Sequence, residues 1–558
     1  MTRYPVPTTS PTRPFRARFA ARWWQNCILR QLGLVAALLI SAGFAEAFAA
    51  EGQSGAVPFT AVSTYYISPT GNDQSAGTSP KTAWATPHHN VNCGDVILVE
   101  PGNYILGKYI TAFGANNWGT VANCPSRSGG IDGTGGIYFA IVLCAGPHLG
   151  ACTVSGAPSI NNPTVNNEAF RVDQSNWAVE GFVSTQSPSA STGCMTATSE
   201  SNTVIAFIAF VNNIVSTCGV DGFGTYGWTA RGGVDQSAVV GAIAYNASPS
   251  RGGNCGSGVS MIPTSGTTPT SGAHIFVAGE FGYKNIADPH GSGCHTDGEG
   301  LVFDSWGCPT TGYHYQGVAE QNVWWQNGSA GFEVFPNTTC NSKSNSDLAQ
   351  VYVFNNTSCD NQEDPLRAGQ SPDLFLNQIS PVPGETVYSV TNNIFKPGKA
   401  SAGNNGASPV YGAGVYINNT NTSAISITGN YIWQSNPGTS RRVGNPNTDV
   451  HINGRQNNIT FPFGLNVYND PGFANPNDLP TTAPNCSEYT NTTACMNEGY
   501  KVAANLKPSV AVGKGYQPPG PCRPDPYFPV WLKGIVLLHW NGSTLTEDTG
   551  LITKPCDM

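Results

Sequence analysis

His290-Gly291-Ser292-Gly293-Cys294-His295-Thr296-Asp297-Gly298-Glu299-Gly300-Leu301-Val302-Phe303-Asp304-Ser305-Trp306 packs two imidazoles and three carboxylates into a chain whose charged residues amount to only 11%. From Gly300 the residues alternate, Leu301 and Phe303 on one side and Val302 and Asp304 on the other, which reads as a short strand with one buried face. Asp297-Gly298 is turn chemistry leading into it. Gly222, Gly258 and Gly331 open strands of the same kind. In that register Phe223 and Thr225, Val259 and Met261, Leu301 and Phe303, Phe332 and Val334 point into a coil. Asp221, Glu299, Asp304 and Glu333 then project from one outer sheet on adjacent or next-but-one coils, about 4.8 Å apart per step. Like charges stacked so closely call for a cation among them or for raised pKa values.

Working outward, the same unit recurs irregularly every 30 to 40 residues or so, as in a solenoid. An apolar strand, an Asn or Asn-Asn at a bend and a Gly before the next strand appear in Asn212-Asn213-Ile214, Tyr245-Asn246, Tyr283-Lys284-Asn285 and Trp325-Gln326-Asn327. Phe354-Asn355-Asn356, Asn392-Asn393-Ile394 and Asn430-Tyr431-Ile432 continue the series. Asparagine tolerates left-handed turn geometry and can bond its counterpart up a stack, so these residues read as structural. Composition agrees: 65 Gly and 41 Pro in 558 residues suit many short strands joined by turns.

Residues 1–50 read as a targeting segment. Six arginines precede the apolar run Leu32 to Ala42, and Ala45-Glu46-Ala47 or Ala47-Phe48-Ala49 supplies small residues for cleavage. The apolar run is shorter than the roughly 20 residues a bilayer span needs, so a secreted or periplasmic product with no membrane association is expected. Losing that segment takes 26 basic and 34 acidic residues to 20 and 33, a net charge of −13. Such a surface is unsuited to nucleic acid. Of 16 cysteines, Cys27 lies in the targeting segment, and export makes disulfides the expected state of the rest. Sequence neighbours suggest Cys93 with Cys124, Cys144 with Cys152, Cys194 with Cys218, Cys340 with Cys359, Cys486 with Cys495 and Cys522 with Cys556. Cys255, Cys294 and Cys308 would supply one more pair and an odd thiol.

The mature chain opens with Tyr65-Tyr66-Ile67-Ser68-Pro69-Thr70-Gly71-Asn72-Asp73, followed by Cys93-Gly94-Asp95 and Pro101-Gly102-Asn103-Tyr104. This opening resembles exported right-handed parallel β-helix proteins of the pectate-lyase-like group. The resemblance implies an all-β, right-handed parallel β-helix over residues 51–460, closed by a C-terminal capping segment over 461–558. Lyases, hydrolases, epimerases and proteins with no assigned chemistry share this beginning, so it implies no single activity.

Motif order is similar to polysaccharide lyase family 9. Asp297-Gly298, or Asp221-Gly222-Phe223, looks like the first motif, and Asn327-Gly328-Ser329-Ala330-Gly331-Phe332-Glu333 looks like the second, with Ser329 and Ala330 in place of paired aspartates. Pro365-Leu366-Arg367-Ala368-Gly369 looks like the third, with arginine where the family has lysine. The resemblance implies β-elimination from a uronic-acid polysaccharide by a monomer. Ca²⁺ would be held by Asp297, Glu299 and Glu333 with Asp304 and Asp221 nearby, and the base drawn from Arg367, Lys284, His290 and His295. Two other classes fit the same residues. A glycoside hydrolase would use a pair of the carboxylates, and a non-catalytic glycan-binding protein would use Trp306, Trp324, Trp325 and Tyr226 as exposed sugar platforms.

Overall fold

The computed structural model describes residues 61–105, 111–125, 137–145, 151–155, 169–186, 193–199, 203–225, 233–247, 256–262, 273–286, 297–306, 315–336, 349–361, 372–376, 388–396, 414–417, 425–432, 450–452, 529–532, 537–540 and 545–548. Three long parallel sheets of 11, 10 and 9 strands run side by side. From Ala140–Cys144 onward each turn of chain contributes one strand to each in order, as in Val204–Val211, Ile214–Ser216 and Phe223–Thr225. The next turn of chain stacks on it in parallel register, so the molecule is a parallel β-helix. The strands are called here sheets one, two and three in chain order.

The glycine register is observed as expected. Phe223 pairs with Val259, Val259 with Leu301 and Leu301 with Phe332, all buried. These residues join Trp324, Phe210 and Ala244 in the cluster that fills the bore. Burial of alternate residues from three sheets is what the period-two pattern requires.

Between sheets one and two the chain turns on one residue in the left-handed region: Asn212, Gly241, Gly279, Gln321, Asn355, Asn392 and Gly429 have φ from 52° to 69°. The next position holds Asn322, Asn356, Asn393 and Asn430 in successive coils. Asn356 Oδ1 accepts from the backbone N–H and the Nδ2 of Asn322 at 2.9 and 3.0 Å, and Asn393 does the same for Asn356. A second ladder, Asn285, Asn327 and Asn361, turns sheet two into sheet three. The buried bends thus satisfy their own polar groups, as burial demands.

The opening motif builds the first coil. Asp73 accepts from the backbone N–H groups of Ala85 and Thr86, and a Cβ at Gly71 would lie 1.8 Å from the Trp84 carbonyl oxygen. Three disulfides form as expected: Cys93–Cys124, Cys144–Cys152 and Cys194–Cys218. The expected Cys340–Cys359 pair does not: Cys359 is a free, buried thiol in sheet two.

Near the C-terminus, Val530–Leu532 forms a 3-10 turn, and Leu537–Trp540 pairs antiparallel with Leu545–Asp548. Trp531 and Leu532 pack on the outward apolar face of sheet one, among Leu98, Ile141 and Phe276. Trp531 meets Phe139 and Phe207 at ring-centroid distances of 6.0 and 5.9 Å. Its Nε1 donates to the Ala273 carbonyl at 3.0 Å. Among the described residues no helix is long and apolar enough to cross a membrane.

Candidate functional site

Sheet three carries the acidic residues on its outer side. Its central outward column runs Arg171, Thr196, Gly224, Ser260, Val302, Glu333, Phe375 and Tyr416. Beside it, just before each register glycine, stand Asp221, Ser257, Glu299 and Ala330, tied coil to coil by backbone hydrogen bonds from Gly222 to Ser257, Gly258 to Glu299 and Gly300 to Ala330.

Ser257 joins the acids of this second column. Its backbone N–H donates to Asp221 Oδ1 at 2.8 Å and its hydroxyl to Glu299 Oε2 at 2.6 Å. Ala330 clusters with Phe375 and Tyr416 of the central column, Phe375 being stacked on Glu333. Glu299 and Glu333 are 2% and 5% exposed, so the expectation that Glu299 faces solvent is corrected: its carboxylate lies within the wall of the sheet.

Two residues along the strand from Glu333, on the same outer side, Phe335 is 42% exposed. Two of the expected sugar platforms are not on the surface: Trp324 points into the bore and Trp325 is fully buried on sheet two. Tyr226 and the side chain of Trp306 lie outside the described residues.

Gly298 adopts φ +94°, the turn geometry that Asp297-Gly298 suggested. Lys284 is a bend residue with φ 54°, its ammonium 5.9 Å from the Trp325 ring centroid. His290, His295 and Arg367 lie outside the described residues. The five carboxylates expected to hold calcium do not gather as ligands: among the described residues no three His, Cys, Asp or Glu side chains could hold a metal ion.

Inside the wall lie two acids that sequence reading did not single out. Glu280 interrupts the first asparagine ladder, its backbone N–H donating to Asn322 Oδ1. Its side chain turns into the bore, where Oε2 accepts Trp324 Nε1–H at 2.8 Å and Oε1 finds no partner. Burial pushes its carboxyl up to about 8, the indole hydrogen bond offsetting part of the rise. Asp373 takes the place of the register glycine in its coil, since Phe332 bonds its carbonyl as Leu301 bonds that of Gly331. Burial raises it to about 7 despite hydrogen bonds from Asn361 and Ser358. Ser257 was legible in principle, as the residue before Gly258. Glu280 and Asp373 were hidden because each replaces the residue type that defines its column.

No protein-family model matches the chain, and no curated protein matches it in sequence. Among solved structures it is similar to pectate lyase Pel9A, at 16% identity and a TM-score of 0.31, over 60% of this chain and 79% of that one. It is similar to the A-module of the Azotobacter vinelandii mannuronan C-5 epimerase AlgE6, at 12% identity and 0.31, over 67% and 91%. A rhamnogalacturonan lyase is similar at 17% identity and 0.26, over 67% and 68%. These likenesses are remote, and the parallel β-helix rests on the hydrogen-bonded ladders themselves.

Proposed function

We propose that the chain is an exported, monomeric polysaccharide-cleaving protein whose outer face on sheet three acts on a uronic-acid polymer by β-elimination. The observation that carries this reading is the placement of Glu299 and Glu333 on adjacent coils of sheet three, with Phe335 exposed on the outer side of the strand that carries Glu333. Elimination needs one group that accepts a proton and another that supplies one. Such a pair can remove the proton next to a sugar carboxylate and return a proton to the departing oxygen, leaving a double bond in the ring. His290, His295, Arg367 and Lys284 are the proposed alternative bases. An aromatic ring beside the pair gives the apolar face of a sugar ring a surface to stack on.

A hydrolase is the second reading, favoured by the carboxylate pair itself, whose separation would set the stereochemical outcome. Incubation with pectate, alginate and glucuronan decides between them. A lyase releases an ultraviolet-absorbing unsaturated product and a hydrolase releases reducing ends alone. Neither signal from any of the polymers refutes cleavage.

A further inference from the structure

Trp324 touches the chain next to both candidate carboxylates. A Cβ on Gly300, the residue after Glu299, would lie 2.4 Å from Trp324 Cδ1, so the indole edge rests directly against that backbone. The same ring stacks on Phe332, the residue before Glu333, with centroids 5.5 Å apart and planes at 27°. One side chain in the bore therefore lies against the backbone beside Glu299 and against the ring of the residue before Glu333.

What fixes Trp324 is Glu280. The hydrogen bond from Trp324 Nε1 to Glu280 Oε2 fixes the indole's rotation inside an otherwise apolar bore, where an indole N–H needs a partner. Room for the carboxyl is made by Gly282, where a Cβ would fall 2.6 Å from Glu280 Oε1 and 3.1 Å from the Gly300 Cα. A glutamate that leaves the asparagine ladder, two glycines that let it and the indole in, and a tryptophan that touches both sides of the site make one unit.

We propose that Glu280 and Trp324 are positioning residues, a brace in the bore that sets the separation of Glu299 and Glu333. Their catalytic consequence rests on the function proposed above, while the brace itself is a statement about geometry. Neither residue is placed on the outer side of sheet three, since Trp324 and Glu280 Oε2 meet inside the bore. Displacements of about 1 Å in a reacting constellation cost on the order of a hundredfold in rate.

The test compares Glu280→Ala, Glu280→Gln and Trp324→Phe in the full chain. On whichever polymer the wild type cleaves, Glu280→Ala and Trp324→Phe should lower kcat about a hundredfold with KM unchanged. Glu280→Gln should keep near wild-type kcat, because its carboxamide oxygen accepts the same indole N–H. A folded Trp324→Phe variant with unchanged kcat overturns the brace, as does a Glu280→Gln variant as impaired as Glu280→Ala. Crystal structures of wild type and Trp324→Phe supply a reading independent of activity: the Glu299 to Glu333 separation should change, and an unchanged separation overturns the proposal. If the wild type cleaves no polymer, the proposed function falls and this second arm still decides the brace. If Glu280→Ala does not fold, the other two variants carry the test.

Discussion

Ser257 donates its hydroxyl proton to Glu299 Oε2 at 2.6 Å while its backbone N–H binds Asp221 Oδ1 at 2.8 Å, so one serine links acids that stand two coils apart. Removing the hydroxyl leaves a buried carboxylate oxygen short of a donor, a loss of about 1–3 kcal/mol. Ser257→Ala should therefore lower unfolding stability by that order in urea titrations and reduce turnover as well. An unchanged midpoint with unchanged rate would show that the link serves neither purpose.

Glu299→Gln and Glu333→Gln should each lower kcat by about 10²- to 10⁴-fold, the usual worth of a positioned acid or base. On the proposed function the two serve one proton-transfer sequence, so the double variant should be scarcely slower than the worse single one. Phe335→Ala should instead raise KM and spare kcat, since stacking holds ground state and transition state alike. Initial rates on the polymer identified by the absorbance screen separate these outcomes.

Stability should fall as pH rises from acid to mildly alkaline. Glu280 and Asp373 are raised from 4.5 to about 8 and from 3.8 to about 7. Below the lower values both folded and unfolded chains hold these protons and the stabilisation is complete. Between lower and raised values the unfolded chain releases a proton that the folded chain keeps, so each group costs about 1.4 kcal/mol per pH unit. The loss is complete once pH passes about 7 for Asp373 and about 8 for Glu280. Urea midpoints measured across this window should flatten in Glu280→Gln and Asp373→Asn. A slope unaltered by both substitutions would assign the pH dependence elsewhere.

Thiol titration should find one reactive group per chain, and only after denaturation. Six of the fifteen cysteines beyond the targeting segment form the three described disulfides and Cys359 is free, which leaves eight outside the described residues, an even number. Burial and the neighbouring Asp360 and Asp373 push the Cys359 thiol up, which keeps it protonated and unreactive in the native protein. Cys359→Ala should titrate to zero. A thiol remaining in that variant would return the odd cysteine to Cys255, Cys294 or Cys308.

The fold was legible because a solenoid repeats its constraints. Gly222, Gly258, Gly300 and Gly331 mark the register, and the asparagines mark the bends, so each coil confirms the one before. The site was legible only in part. Asp221, Glu299 and Glu333 follow from the register, but alternation alone does not reveal that Glu299 is buried or that Ser257 bonds it. Trp324 and Trp325 illustrate the difficulty: adjacent tryptophans look like surface platforms, yet one fills the bore and the other is covered on sheet two. Glu280 and Asp373 depart from their columns, so the regularity that exposes the fold conceals them.

Trp531 reaches back to Phe139 and Phe207, and its indole bonds a carbonyl 258 residues earlier in the chain. Coils can stack one after another as the chain emerges, since each pairs only with its neighbours. The outward patch around Phe139 and Phe207 must wait for a partner made long after it. Folding of these coils therefore includes a sealing step that lags their stacking. A chain released short of Trp531 would carry stacked coils and a bare aromatic flank, the kind of surface that invites aggregation.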